Sequence, residues 1–330
     1  MLHVHRAARA DALAAALRDL LATPLDDPFA PELIAVPTRG MERWLAQTLS
    51  TGLGTTDGRR DGVCANVDFP SPGRLVSEAV AAASGIDPER DRWLSDRLVW
   101  PLLEVVDEAL AEPWLDALAA HLGGGRGRRF GTVRHLAALY DAYGLHRPEM
   151  VRGWAAGEDE HWQAELWRRL RAKVGQPSPA ERLETAVARL RDAPDLVDAP
   201  RRLSLFGLTR LPASHLAALG GLAAARDVHL FLLHPSAALW DAAAPVLEAT
   251  GAVARRADDR TADLPQNRLL ASWGRDAREL QVVLGAREHV DHHHPIAAGE
   301  ASLLERIQGD VRADRGPRAR DERPLLAEDD

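Results

Sequence analysis

Lysine is almost absent from this sequence of 330 residues. Lys173 is the only one, so every other Lys/Arg position is an arginine. A phosphate-binding loop of the form GxxxxGK[ST] needs a lysine to neutralise the terminal phosphates and glycines that let backbone amides approach them. Lys173 lies in RAKVGQP, with no glycine before it. The sequence therefore excludes a loop of this kind, and it excludes a nuclease centre of the D/E-x-K type for the same reason.

The sequence also has little cysteine, no long apolar run and no excess of positive charge. Cys64 is the only cysteine, so no internal disulfide forms, and we expect a buried, inert thiol in a reducing cytoplasm. No apolar run approaches the ~18–20 residues of a membrane span, so we expect no membrane association. The net charge of −8 argues against a simple nucleic-acid binder. It leaves room for a basic channel inside an acidic molecule, because steering depends on the local potential.

Elements that are present change in kind along the chain. Residues 1–85 alternate between strand and helix patterns, residues 86–195 are helical throughout, and strand patterns return within 196–290. Residues 291–330 read as a linker and charged tail, with no periodicity from Gly309 onward. Alternating strands and helices favour a parallel sheet. The predicted fold class is therefore α/β, with a parallel sheet interrupted by a large all-helical insertion.

A run of three histidines, in DHHHP (residues 291–295), is the most conspicuous candidate for a metal site. Neighbouring residues point in different directions, and no cysteine or carboxylate stands at ligand spacing from the run. We therefore expect a structural or solvated loop there and no bound metal. Six tryptophans of the helical region are expected to lie mostly in its core, with base stacking as the less favoured role: Trp93, Trp100, Trp114, Trp154, Trp162 and Trp167.

The stretch LIAVPTRGMERWLAQTLS, residues 33–50, combines an apolar strand, a turn with glycine and an amphipathic helix. This is the usual frame of a nucleotide-phosphate site, because a helix N-terminus after a strand offers free backbone N–H groups. The turn Pro37-Thr38-Arg39-Gly40 contains neither a lysine nor a second glycine. The frame is present while the residues that hold nucleotide phosphates are missing.

A family resemblance accounts for this combination. The stretches that carry it are LHVHRAARADALAAAL, LDDPFAPELIAVPTRGMERWLAQTLS, ANVDFPSPGRLV, YDAYGLHRPEMVRGW, ELWRRLRAKVGQPSPAERL, LSLFGLTRLPASHLAALGGL, NRLLASWGRDAREL and ERIQGDV. In order and spacing they resemble the N-terminal third of the exodeoxyribonuclease V gamma subunits, the RecC family, over essentially the whole chain. GMERWL, ANVDFP and LLASWGRDARE are the most specific. The resemblance implies a fragment of a longer chain.

The resemblance implies a superfamily-1 helicase fold, with a sheet of the P-loop helicase type, that has lost its ATPase. HRAARAD then stands where the P-loop was, and LSLFGLTRLP stands where the magnesium carboxylate was. The segment from Leu33 to Gly40 corresponds to one that touches single-stranded DNA in active helicases. In the family, the sheet and the helical insertion form channels that split the duplex and guide one strand.

Carried over by position, the resemblance implies the following DNA-binding residues: Thr38, Arg39, Gly40, Arg43, Trp44, Ser71, Ser77, Asp141, Arg147 and Arg182. Some family members recognise a recombination hotspot sequence in the strand channel. Here Pro37 and Arg43 occupy positions that are amides in the best-known pattern, and Ser77 occupies an aromatic one. The resemblance therefore implies general strand guidance and leaves hotspot reading open.

The function expected from the resemblance is a non-catalytic, DNA-guiding scaffold subunit of the ATP-dependent helicase–exonuclease V complex, in double-strand-break repair by homologous recombination. The implied partners are the beta and alpha subunits and single- and double-stranded DNA. ATP and Mg²⁺ are used by those subunits, and this chain is expected to bind no cofactor, to have no catalytic residues and to show no activity alone. Two alternatives stay open: an autonomous ATP-dependent helicase–nuclease subunit of the AddB type, and an unrelated α/β enzyme with a helical lid.

Overall fold

The computed structural model describes residues 1–316 except 28, 57, 58, 60, 124, 125, 251–255, 298, 300 and 301; the end of the predicted charged tail, 317–330, lies outside the described residues. The chain divides into two compact units. The sheet unit comprises Met1–Pro72, Pro200–Leu211 and Arg226–Asp330, and the helical unit comprises Gly73–Ala199 and Pro212–Ala225. No helix among the described residues is long and apolar enough to cross a membrane.

One six-stranded sheet organises the sheet unit. Its strands are β1 (Leu2–Ala7), β2 (Glu32–Ala35), β3 (Val67–Asp68), β4 (Arg202–Leu208), β5 (Asp227–Leu233) and β6 (Val290–His293). Their order across the sheet is β3-β2-β4-β5-β1-β6, and every neighbouring pair is parallel. The predicted α/β class with a parallel sheet is thereby confirmed. So is the expectation that the late apolar strands join the two early ones, since β4 pairs with β2 and β5 pairs with β1.

The described helices belong in part to each unit. They are α1 (Ala10–Leu21), α2 (Arg39–Leu49), α3 (Pro72–Ala83), α4 (Ser95–Ala109), α5 (Asp116–Leu122), α6 (Arg126–His146), α7 (Pro148–Ala156), α8 (Trp162–Val174), α9 (Pro179–Asp192), α10 (Ala213–Leu222), α11 (Ala237–Thr250), α12 (Arg268–Trp273), α13 (Arg275–Leu284) and α14 (Leu303–Arg312).

The position of α2 against the sheet depends on a glycine in β4. Gly207 has a φ of +75° at an irregularity in the pairing of β4 with β5, a backbone region that favours glycine. A Cβ atom at this position would lie 3.1 Å from Cε of Met41, which occupies the space in its place. The apolar face of α2 then buries Leu45 and Leu49 completely. The N-terminus of α2 is left at the surface by this packing.

The first two histidines of the run lie in strand β6 and His294 follows it, so the expectation of a loop was wrong for His292 and His293. Pairing with β1 places His292 opposite His5. Side chains two residues apart share a face of a sheet, so His3 and His294 lie on the same face as this pair. His5 donates or accepts hydrogen bonds through both ring nitrogens, at 3.0 Å to His294 and 3.1 Å to His229. We call the five histidines on this face the histidine ladder: His3, His5, His229, His292 and His294.

The rings of the ladder stack rather than converge. The ring centroids of His5 and His292 lie 4.5 Å apart at an interplanar angle of 11°, and those of His3 and His229 lie 4.6 Å apart at 10°. Among the residues that the structure describes, no group of three or more His, Cys, Asp or Glu is arranged to hold a metal ion. Burial, with the neighbouring histidines adding to it, lowers the pKa of His5 to about 3. Burial likewise lowers the pKa of His229 to about 4.

The helical unit has its own core. Trp167, Leu98 and Leu102 are almost completely buried in it. Helix α9 begins at a capping box in which Ser178 and Glu181 satisfy each other's backbone N–H groups. Three of the six tryptophans expected in the core are buried, Trp114 and Trp162 are partly buried, and Trp100 is 59% exposed with its ring near that of Phe130.

Candidate functional site

The turn between β1 and α1, where the resemblance places the former P-loop, is very short. It consists of Ala8 and Arg9, and α1 begins at Ala10. Arg9 pairs with Asp11 in the first turn of the helix. The only lysine of the chain is engaged in the helical unit, where Lys173 Nζ lies 2.9 Å from Glu104 and 2.6 Å from Glu108. The described structure thus places two residues where a phosphate-binding loop would need many more.

The turn between β2 and α2, the start of α2 and the loop between β3 and α3 together carry six of the candidate residues. We call this group the turn site: Thr38, Arg39, Gly40, Arg43, Trp44 and Ser71. Thr38 is the N-cap of α2, and its Oγ1 accepts a hydrogen bond of 3.2 Å from the amide of Met41. The amides of Arg39 and Gly40 precede the first intrahelical bond and make no hydrogen bond within the described structure. They are free to bind an anion at the helix N-terminus.

Two arginines flank these free amides. Arg39 and Arg43 are exposed, and neither makes an ion pair or a side-chain hydrogen bond with another described residue. A Cβ atom added at Gly40 would meet only Thr38 Oγ1, at 3.8 Å. The surface is therefore open above Gly40, and a ligand can come close to the backbone there. Unpaired arginines beside free amides provide the donors that phosphate groups accept.

Trp44 and Ser71 complete the turn site from its two sides. Trp44 is 37% exposed, and its ring lies 6.1 Å from that of Phe206, measured between centroids. One part of the indole therefore packs on the sheet unit while another part faces solvent. Ser71 is exposed and follows Pro70, whose carbonyl accepts a 2.9 Å hydrogen bond from the amide of Val36 at the end of β2. This bond brings Ser71 to the same edge of the sheet as Thr38.

Three further candidates meet in the helical unit, around a cavity of about 300 Å³ that we call the helical cavity. Ser77 on α3, Asp141 on α6 and Arg182 on α9 all line it. Their positions in the sequence are 41 to 105 residues apart, and packing of three separate helices joins them. Aromatic side chains form part of the wall, and a cavity of this size accepts a small planar group. The lining aromatic residues are Trp93, Tyr140 and Trp167.

Arg182 is the most unusual residue of the helical cavity because it is only 8% exposed. Its Nη2 donates to Asp91, while Nε and Nη1 are buried without a hydrogen-bond partner among the described residues. Asp91 also accepts a hydrogen bond of 3.0 Å from the amide of Trp93. Unpaired buried donors are uncommon in native proteins and mark places where a ligand or water is bound. The guanidinium group is therefore held by one carboxylate and has donors left over for a ligand.

The other candidates in the helical unit differ in their surroundings. Asp141 is exposed at the cavity. Partial desolvation raises the pKa of its carboxyl, and the neighbouring His146 opposes this shift. Ser77 is exposed at the rim, and its Oγ donates to the carbonyl of Arg74 at 3.0 Å. Arg147 is exposed at the N-cap of α7 and does not line the cavity. The structure thus joins Ser77, Asp141 and Arg182 in one place and leaves Arg147 apart from them.

Sequence reasoning missed several residues of the helical cavity. Asp91, the partner of Arg182, occurs in the loop before α4 with no pattern that distinguishes it from other acidic residues. Ser214 donates a hydrogen bond of 2.6 Å to the carbonyl of Leu145, and both residues line the cavity. Burial lowers the pKa of the neighbouring His215 to about 4. An aromatic near an acid in YDAY was the only local signal available for this site.

Comparison with known proteins adds independent information. Residues 2–314 match the family model described as "RecC, N-terminal domain". The chain is 42% identical over 326 residues to the RecBCD enzyme subunit RecC of Mycobacterium tuberculosis, covering 94% of this chain and 29% of that protein. It is 40% identical over 323 residues to the same subunit of Mycolicibacterium smegmatis, covering 95% and 28%. It is 27% identical over 350 residues to that of Escherichia coli, covering 94% and 30%.

These relatives are much longer than the chain, which spans less than a third of their length. The match covers both units, from β1 through α14, and includes the turn site and the helical cavity. The agreement of the family model with relatives at 40% identity or more confirms the resemblance found from GMERWL, ANVDFP and LLASWGRDARE. The chain belongs to the RecC family and corresponds to its N-terminal domain.

Proposed function

We propose that this chain guides single-stranded DNA without catalysing a reaction of its own. The observation that carries the proposal is the turn site, where Arg39 and Arg43 are exposed and unpaired beside the free amides of Arg39 and Gly40. A strand crossing this turn would place a phosphate on the amides and guanidinium groups, which are sequence-independent contacts. Trp44 offers part of its ring to a base.

The helical cavity supports the same proposal with a second kind of contact. Arg182 presents unpaired donors and Asp141 a carboxyl group, both beside aromatic rings. Such a combination suits the edge and face of an unstacked base. The larger architecture in this proposal is a helicase sheet of the P-loop type whose ATPase is lost, interrupted by the helical unit as an insertion. In this proposal the first part of the helicase-like domain ends at residue 85, the helical insertion ends at residue 195, and the returning part of the domain ends at residue 290.

The wider role follows from family membership. The relatives are named as subunits of the RecBCD enzyme, and we infer that this chain serves as a scaffold in an equivalent complex with beta and alpha subunits. The complex would act on double-stranded DNA ends in homologous recombination, in the cytoplasm. Its ATP and Mg²⁺ would be used by the partner subunits, so this chain would use neither for catalysis. The short turn after β1 and the lack of lysine there are the observations in favour.

The test is the double substitution Arg39→Ala with Arg43→Ala in the assembled complex. Loss of charge-assisted hydrogen bonds to phosphate should weaken strand binding by about 1–3 kcal/mol. The loss should shrink as salt rises, because the contact releases counterions. DNA binding and unwinding are measured across a salt series. Assembly of the complex should be unchanged, because both side chains are exposed.

A matched control removes the same charge elsewhere. Arg189 and Arg191 of α9 are exposed, and neither belongs to the turn site or lines the helical cavity. Arg189→Ala with Arg191→Ala should leave strand binding close to that of the parent complex. Normal unwinding by the Arg39/Arg43 variant at every salt concentration would show that the turn is structural and that the strand passes elsewhere.

A further inference from the structure

The sheet unit contains a second, larger cavity that the proposed function does not use. It has a volume of about 600 Å³, within the range of about 300–1,000 Å³ typical of small-molecule sites. We call it the edge cavity, because its walls include the residues that end or follow three strands: Ala7 and Ala8 after β1, His234 after β5, and His294 after β6. The carboxyl ends of parallel strands are where α/β sheets bind ligands.

Cationic side chains dominate the lining of the edge cavity. Among the residues that the structure describes, the lining includes Arg6, Arg306, Arg312 and Arg315, and Glu305 is the one carboxylate. Two carboxylates that do not line the cavity, Asp291 and Asp310, compensate part of this charge. Arg6 Nε lies 2.9 Å from Asp291, and Arg315 pairs with Asp310 at 3.0 Å.

Arg6 has a further carboxylate, Asp241, 3.5 Å from its Nη2. Arg312, by contrast, makes no side-chain ion pair or hydrogen bond with any described residue. Its backbone carbonyl accepts a 2.9 Å hydrogen bond from Ser236 Oγ, which ties the end of α14 to the segment after β5. No carboxylate of the described residues compensates Arg312, whose backbone is held in place in the cavity wall.

His234 is a second residue of the edge cavity with unused hydrogen-bonding groups. It is 5% exposed, and neither of its ring nitrogens makes a hydrogen bond with a described residue; the backbone of Ser236 approaches the ring without reaching hydrogen-bonding geometry. The ring meets Trp240 edge to face, with centroids 5.1 Å apart, and the guanidinium of Arg6 lies 4.9 Å above the same indole. A buried polar ring left without a partner costs stability unless something completes its hydrogen bonds.

We propose that the edge cavity binds a phosphate-bearing small anion, of the polyphosphate or nucleotide type, through Arg312, His234 and Arg6. Arginine and neutral histidine donate hydrogen bonds that phosphate oxygens accept. Burial keeps the His234 ring neutral at pH 7, because it lowers the pKa to about 4, and one ring nitrogen is then a donor. The anion would be bound as a ligand and would not be hydrolysed. No bond is made or broken, and no metal ion is required.

The experiment titrates the 330-residue chain with sodium tripolyphosphate by calorimetry, at constant ionic strength and without divalent cations. The expected result is one saturable site. Arg312→Gln should weaken binding by about tenfold or more, as expected for the loss of a charge-assisted contact. Arg275→Gln, at an exposed arginine outside the cavity, should leave the affinity unchanged. His234→Phe keeps an aromatic ring and removes the donor, so it should also weaken binding.

A competition titration with ATP then identifies the source of the phosphate chain. Displacement of tripolyphosphate by ATP assigns a nucleotide, and failure of ATP to displace it assigns a free polyphosphate; both results support a phosphate site. Circular dichroism of each variant establishes that it is folded. The proposal is overturned if the parent chain shows no saturable binding, or if folded Arg312→Gln and Arg275→Gln bind tripolyphosphate equally well. Neither result depends on DNA guidance by the turn site.

Discussion

Substitution of Gly40 should affect stability and DNA binding in opposite directions. Its backbone is helical and a Cβ atom there would meet only Thr38 Oγ1 at 3.8 Å, so packing does not require glycine. Gly40→Ala should leave the free energy of unfolding unchanged or raise it by up to about 1 kcal/mol, since alanine favours a helix. It should weaken strand binding, because a methyl group keeps a phosphate away from the backbone amide. Chemical denaturation and DNA titration of the same variant measure both effects.

The matched position for this comparison is Ala46, in the same helix but beyond its first turn. Ala46→Gly should lower stability by about 0.5–1 kcal/mol and leave strand binding unchanged. If Gly40→Ala bound DNA as tightly as the parent, close approach of the strand to this glycine would be ruled out.

Arg182 shows how burial changes the consequence of losing a charge. Arg182→Met leaves the Asp91 carboxylate buried without its partner, which typically costs about 3–5 kcal/mol. The helical unit should therefore be strongly destabilised. Adding Asp91→Asn removes the uncompensated charge while keeping an oxygen for the amide of Trp93, so the double variant should recover much of the loss. Thermal and urea unfolding of the three proteins test this, and equal stability of both variants would refute a coupled pair.

At the scale of elements, adjacent glycines in α10 provide a matched pair. A Cβ atom at Gly221 would lie 3.1 Å from Leu190 Cβ and 3.2 Å from the carbonyl oxygen of Val187, both on α9. A Cβ atom at Gly220 would meet nothing within 4 Å. Gly220→Ala should therefore stabilise the helical unit by about 0.5–1 kcal/mol through helix propensity. Gly221→Ala should destabilise it, since overpacking costs about 1–3 kcal/mol. Urea denaturation compares them, and the same sign for both would contradict the packing of α9 on α10.

The strands that carry the histidine ladder should make the sheet unit sensitive to acid. The pKa values of His5 and His229 are lowered in the native protein, to about 3 and about 4, from an ordinary value of 6.5. At a pH between the native pKa and 6.5, each of these histidines is protonated in the unfolded chain but neutral in the native protein. Stability therefore falls as the pH drops below about 6.5, by about 1.4 kcal/mol per pH unit for each such histidine.

Substitution of one ladder residue should reduce this slope. His5→Phe keeps a ring to stack on Phe231, whose centroid lies 4.4 Å from that of His5, and removes one titrating group. The free energy of unfolding, measured between pH 7.5 and 5, should then change less steeply than in the parent, whatever its absolute value. His135→Phe, at an exposed position of α6, serves as the control and should keep the parent slope. A parent whose stability does not fall between pH 6.5 and 5 would contradict the prediction.

At the scale of the whole molecule, the chain should hydrolyse no ATP on its own. The turn from β1 to α1 holds only Ala8 and Arg9, and β4 is followed by Thr209 and Arg210 rather than by an acid that could hold magnesium. ATP hydrolysis by the purified chain, with and without single-stranded DNA, should equal that of buffer. DNA-stimulated hydrolysis that disappears when residues between Arg6 and Asp11 are changed would contradict this. Binding of a phosphate anion in the edge cavity does not conflict with this prediction, because the proposed anion is bound and not hydrolysed.

The amino-acid sequence by itself determined the parallel α/β class, the return of the sheet after the helical region, the family, and the lack of a lysine-containing phosphate loop. These properties depend on periodicity, composition and local motifs, which are readable over a few consecutive residues. The frame around Thr38 and Gly40 was readable for the same reason, since a strand, a turn and a helix follow one another directly there.

Only the tertiary structure decided which distant residues meet. Ser77, Asp141 and Arg182 share a cavity because three helices pack together, while Arg147, six residues after Asp141, does not line that cavity. His292 and His293 of DHHHP lie in a strand because pairing with β1 supplies hydrogen bonds and stacking partners from residues nearly 290 positions earlier, and His294 after the strand bonds to His5. Contacts between residues far apart in the chain depend on packing and strand register, and these are properties of the assembled fold rather than of any local stretch of sequence.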